Sequence, residues 1–167
     1  ASSGFPVILV DLDDAKVQRG LSIIQKTLAE GVARKVFKPE QVEAWKADLG
    51  KLNQAYADNL VKEGKGLQIA VGPAAAPSPF AVKPMVSFIE PGVYAGIVNL
   101  PAEVRMTLRV TDAQGAVVDE VATSVRYATS TIMGVPVNPS VTDRLTECGK
   151  MLGEATAKYL KLRANVK

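Results

Sequence analysis

The groups best placed to do chemistry are three carboxylates, Asp11, Asp13 and Asp14, which follow directly on the apolar run Val7-Ile8-Leu9-Val10. Carboxylates this close together are hard oxygen ligands, the donor type that Mg²⁺ and Ca²⁺ take. A plainer role also fits them, because a strand end leading into a helix favours negative charge at the helix N-terminus. The chain has no histidine. Ser-His and Cys-His nucleophile pairs, imidazole zinc sites and imidazole pH switches are thereby excluded. The one cysteine, Cys148, falls on an apolar helical stripe with no histidine to activate it, so it reads as a small core hydrophobe. A single cysteine also excludes an internal disulfide and any CxxC pair. No cofactor is expected: Gly64-Lys65-Gly66 and Gly92-Val93-Tyr94-Ala95-Gly96 match neither a P-loop nor a dinucleotide fingerprint.

The segment Val7 to Asp14 resembles the first motif of haloacid-dehalogenase-type phosphatases, in which a hydrophobic strand delivers Asp-x-Asp at its end. That resemblance makes Asp11 the nucleophile and Asp13 the acid/base of a Mg²⁺-dependent phosphohydrolase. The motif's usual Thr or Val position holds Ala15, and the alternating βαβ order of that family's sheet is absent, so this stands as the alternative reading. Trp45 and Tyr56 could form an aromatic platform, but both fall on one apolar helical stripe and are expected to pack. Two loops are expected to present a partner-binding surface. One carries Pro73, Pro77 and Pro79; the other includes Tyr127, Met133 and Pro136.

The elements that must position these residues follow from periodicity. Phe5 to Val10 reads as a strand buried on both faces. Leu21, Ile24, Leu28 and Val32 fall on one helical stripe between Lys16 and Phe37. Pro39 suits a first helical position, and Val42, Trp45, Leu49, Leu52, Tyr56 and Leu60 mark one face of a helix to Lys62. The two helices are expected to pair. Leu67 to Val71 and a short run from Met85 to Ile89, bounded by Pro84 and Pro91, are strand candidates. Val104, Met106, Leu108 and Val110 alternate with Arg105, Thr107, Arg109 and Thr111, a half-buried strand. The turn Asp112-Ala113-Gln114-Gly115 returns the chain as Ala116 to Tyr127. Ser140 or Thr142 can cap a last helix with a stripe of Val141, Leu145, Cys148, Leu152, Ala155, Tyr159 and Leu162.

This order predicts one α+β domain over residues 1–167. A mainly antiparallel sheet of about four to five strands carries helices on one face. Its 167 residues can bury a core, and 47% hydrophobic with 22% charged residues excludes wholesale disorder. Twenty Lys+Arg against seventeen Asp+Glu leave a net charge of +3, too little for a dedicated nucleic-acid binder. The cluster Lys158, Lys161, Arg163 and Lys167 fits a helix C-terminus. No apolar run approaches the ~20 residues that span a bilayer.

The opening Ala1-Ser2-Ser3-Gly4, together with the hairpin Val104–Thr111, Asp112-Ala113-Gln114-Gly115, Val117-Val118-Asp119-Glu120 and the final amphipathic helix, resembles uncharacterised bacterial envelope lipoproteins. Their α+β domains are similar to the amino-terminal domain of TolB, the penicillin-binding-protein activators and the curli secretion lipoprotein. The resemblance implies a lipidated cysteine just before Ala1 and an address on the periplasmic side of an outer membrane. It implies a non-catalytic accessory or scaffolding role, with an envelope protein or cell-wall component as partner. It carries over no catalytic residue, and the sequence sets no oligomeric state.

Overall fold

The longest regular pairing comes from the residues with the strongest two-residue alternation. The computed structural model describes residues 6–9, 22, 26–36, 38–71, 78–95, 98–128, 131–132, 135–136 and 140–165. Within these, β6 (Ala102–Asp112) and β7 (Val117–Tyr127) form an antiparallel hairpin. The turn is closed by the side chain of Asp112, whose Oδ1 accepts from the Gln114 and Ala116 N–H groups at 3.0 and 2.8 Å. Gly115 takes φ +82° there, a conformation a side chain would strain.

Five strands make one sheet. In chain order they are β1 (Pro6–Leu9), β2 (Gln68–Val71), β3 (Phe80–Glu90), then β6 and β7; in space the order is β2-β1-β3-β6-β7. The first strand joins in parallel to both neighbours, while β3–β6 and β6–β7 are antiparallel and much longer. Parallel entry follows from the helical excursion between β1 and β2, which returns the chain to the end where it began. Between β3 and β6 lies a small ladder of β4 (Val93–Ala95) and β5 (Val98–Leu100). After β7 comes another, of β8 (Thr131–Ile132) and β9 (Val135–Pro136).

Two expectations change here. The strand expected as Met85 to Ile89 is eleven residues long and runs straight through Pro84. Proline is tolerated because β1 pairs only as far as Val82, so beyond that point β3 is an edge on one side. The Ser/Thr/Pro-rich stretch before the last helix, expected as irregular, contains the β8–β9 ladder.

The helices are α1 over residues 26–33, α2 (Pro39–Glu63) and α3 (Val141–Arg163). A left-handed Lys35 (φ 59°) ends α1, with the Val36 N–H bonded to Gly31 O and the Lys35 N–H to Val32 O, the Schellman pattern. Ser140 caps α3, accepting from the Asp143 N–H while Asp143 Oδ2 accepts from the Ser140 N–H, each at 3.1 Å. The expected helix pair was α1 with α2. The described part of α1 lies beside the first turns of α2, with Leu28 and Val32 lining one hollow together with Pro39 and Val42. The long partner of α2 is instead α3, and the two run parallel: Asp48 meets Thr142, Tyr56 meets Thr156. Gly149 and Gly153 let the backbones close, since a Cβ at either would stand 2.5 Å from a carbonyl of α2, Leu52 O or Tyr56 O.

Both helices cover one face of the sheet. The core joins Leu52, Tyr56 and Leu60 to Leu145, Cys148 and Leu152 over Val82, Val104, Met106 and Leu108. The other face is wet and laced with charge, as an antiparallel sheet permits. Glu103 accepts from Arg105 Nε at 2.6 Å and Arg126 Nε at 2.8 Å, and Glu120 from Arg109 Nε at 2.6 Å. Three stripe positions depart from the helical pattern. Leu162 is 77% exposed, its place in the core taken by Ala157 and Leu160. Trp45 and Leu49, expected to pack, are 42% and 41% exposed, because α2 extends past the end of the sheet there.

Candidate functional site

An apolar hollow of about 720 Å³ lies where the N-terminal half of α2 overhangs the end of β3 and the start of α3. Trp45 and Leu49 form one wall, Ile89 and Pro91 another, and Val141 and Leu145 the floor. The sequence builds each wall for a local reason. Pro39 and the bond from the Lys38 N–H to Gln41 Oε1, at 2.9 Å, start α2 early enough to overhang the sheet. The Ser140 cap starts α3 beside it. Thr142 Oγ1 donates to Asp48 Oδ1 and ties the two helices at the rim.

This arrangement holds an apolar or aromatic group; nothing in its lining is a nucleophile with a base beside it. Among the described residues no cluster of three acidic, cysteine or histidine side chains stands ready for a metal. Asp11, Asp13 and Asp14 lie outside the described residues, as do Pro73, Pro77 and Met133. Pro79 is exposed before β3, Tyr127 is half-buried at the end of β7 against the core, and Pro136 belongs to β9. Tyr127 thus ends one strand and Pro136 belongs to another.

Cys148 is fully buried with its Sγ 3.9 Å from Ala102 O, and burial pushes its thiol up to about 11. Tyr56 is buried too. Desolvation raises its hydroxyl to about 12, against the opposing effect of its 3.3 Å bond to Thr156. Neither is a reactive group at neutral pH.

A second hollow, about 350 Å³, lies between Phe80, Val82 and Val110 and the end of α3. Its polar rim is already self-satisfied: Tyr159 OH donates to Asp119 Oδ2 at 2.6 Å, and Arg163 pairs with the same oxygen at 2.6 Å. The Tyr159 hydrogen bond, more than the arginine, holds the Asp119 carboxyl below its usual range.

One residue escaped sequence reading. Arg144, in the first turn of α3, is 5% exposed, and its Nη2 donates to Gly92 O at 3.1 Å. Its Nε and Nη1 are buried with no partner among the described residues, a costly state for a guanidinium. Gly92 itself has φ +73° and packs so tightly on Leu100 and Ala102 that a Cβ would stand 2.6 Å from Leu100 O. An arginine among the charged residues of an amphipathic helix gives no sign of burial.

No protein-family model matches the chain, and no curated protein matches it. Solved structures similar to it include a Xanthomonas campestris protein of the DUF330 family, at 16% identity and a TM-score of 0.47. That match covers 66% of this chain and 61% of the other, so the chain spans less than two thirds of that structure. PelC from Paraburkholderia phytofirmans, crystallised as a dodecamer, matches at 12% identity and a TM-score of 0.43, over 92% of this chain and 89% of its own. A minor lipoprotein from Acinetobacter baumannii matches at 11% and 0.36, over 70% and 85%. Bacterial lipoproteins are thus among the structural neighbours. A likeness to the TolB amino-terminal domain is not shown, and values this low carry no functional argument.

Proposed function

We propose that this chain is the folded part of a bacterial envelope lipoprotein that binds another envelope component without catalysis, using the hollow at Trp45. The observation that carries the binding reading is the half-exposed pair Trp45 and Leu49 above an apolar floor. An indole left in water beside other apolar walls is the kind of group that anchors a partner. The lipid anchor and the outer-membrane address rest on the resemblance of the hairpin and the last helix to envelope lipoproteins. The partner is an envelope protein or a cell-wall component offering an apolar or aromatic side chain.

The reading is tested in cells, with the native full-length protein. A photo-crosslinking amino acid at position 45 should give one specific adduct in the membrane fraction. The same group at Gly50, which faces open space, should give none, and Leu49→Asp should remove the adduct at position 45. Equal labelling at both positions defeats the hollow as the binding site. Fractionation tests the address: membrane-bound native protein supports it, and a soluble cytoplasmic pool defeats it.

A further inference from the structure

The two edges of the sheet are protected very differently. One edge, β2, has four residues; the other, β7, has eleven, with neither proline nor lysine among them. Short strands, prolines, lysines, bulges and inward-pointing charges are the usual means of stopping an edge from pairing; β7 has a bulge and the inward-facing Asp119 at its start, and neither from Glu120 to Tyr127. Among the described residues nothing pairs with the outer side of β7. The Glu120 N–H bonds the side chain of Asp119 at 2.9 Å and so points away from β6. By the two-residue period, the N–H and C=O groups of Ala122, Ser124 and Arg126 share that outward direction.

From this edge we infer that β7 pairs with β7 of a second copy of this chain, antiparallel and centred on Thr123, to make one continuous ten-stranded sheet. The occupant is fixed by charge and apolar matching in that register. Centring on Thr123 sets Glu120 opposite Arg126 of the second copy. Within one chain Arg126 already pairs with Glu103, and Glu120 with Arg109. The wet face would therefore carry a row Glu103, Arg126, Glu120, Arg109 of alternating sign across four strands, the first two residues from one copy and the last two from the other. On the helical face the same register sets Val125 opposite Val121, continuing Val104 on one side and Leu108 on the other. Sliding by one step that keeps the faces aligned puts Arg126 opposite Val118 or Ala122, and both charge pairs are lost. Cross-strand pairs of opposite charge and of β-branched residues are what stabilises such a seam.

The helix above the edge agrees. Met151, Ala155, Lys158 and Leu162 follow at steps of four, three and four along α3, and Ala155 lies over Val121 and Thr123. Met151 and Leu162 are 38% and 77% exposed. This flank would face its counterpart across the seam and cover surface that one copy leaves in water.

The test uses the whole chain. Light scattering should give the mass of two chains, dissociating on dilution. Thr123→Cys should form an intermolecular disulfide on mild oxidation, because opposed residues outside the hydrogen-bonded pairs have Cα atoms about 4.5 Å apart, within disulfide reach. It should crosslink at least about tenfold faster than the exposed control Lys65→Cys, through the high local concentration at a seam. Ala122→Pro removes one outward N–H and should give a monomer with an unchanged circular dichroism spectrum. A monomer at every concentration overturns the inference. So does a dimer in which Thr123→Cys crosslinks no faster than the control, which places the contact elsewhere, whether or not the proline variant folds.

Discussion

The two halves of α2 carry the same apolar repeat and, Val42 apart, meet opposite fates. In the C-terminal half, Leu52, Tyr56 and Leu60 are buried under α3 and over the sheet. In the N-terminal half, Trp45 and Leu49 sit on the same stripe, yet each leaves about two fifths of its surface in water. The difference is what lies beneath. The C-terminal half rests on β6 and on the glycine face of α3, whereas the N-terminal half overhangs the last residues of β3. Apolar periodicity reports that a helix has a face to bury; it does not report whether its own chain supplies the cover.

The comparison breaks first where burial is complete. Leu60→Ala or Leu152→Ala should destabilise the fold by about 2–5 kcal/mol in chemical denaturation, as buried large-to-small changes do. A loss below about 0.5 kcal/mol, the range of surface substitutions, would mean the α2–α3 layer is peripheral. Gly153→Ala comes next. Its Cβ would press on backbone, at 2.5 Å from Tyr56 O, and overpacking of this kind costs about 1–3 kcal/mol. A neutral result there would mean the two helices can separate freely.

The exposed half should behave otherwise. Trp45→Ala and Leu49→Ala are expected to change stability by less than about 1 kcal/mol, and Leu49→Ala to weaken the crosslink formed from position 45. Since Trp45 is the only tryptophan, its fluorescence reports occupancy directly. A large stability loss would place the pair in the core after all.

Titration sharpens the contrast without mutation. Tyr56 and Tyr159 are raised to about 12, both mainly by burial. A raised folded value means the unfolded tyrosine ionises first, so their stabilisation is complete below pH 10 and is lost between pH 10 and 12. Tyr56→Phe should remove part of that alkaline loss. At the acid end, Glu103, Asp119 and Asp143 are held low, by Arg105 and Arg126, by Tyr159, and by Ser140 respectively. Their contribution is complete above the ordinary carboxylate range and falls away as pH drops through the depressed values. Thermal melts across pH check both limbs, and a flat profile at either end would show those contacts do not hold in solution. The smallest effect is chemical: Cys148, with its thiol near 11, should react with thiol reagents only after unfolding.

The hairpin, the caps and most strands were readable because each depends on neighbours a few residues away. Alternation marked β6, the Asp112 turn marked its end, and Pro39 and Ser140 marked helix starts. Sequence alone therefore determined the α+β class, the absence of imidazole chemistry and the burial of Cys148. The tertiary structure decided what depends on distant parts of the chain. It paired α2 with α3 through Gly149 and Gly153, ran β3 through Pro84, buried Arg144 against Gly92 and left Trp45 half exposed. Each is a matter of which surface arrives opposite a residue, and local periodicity carries no record of that. A proline breaks a strand only if its missing N–H faces a neighbour, and an apolar stripe closes only where another element comes to lie on it.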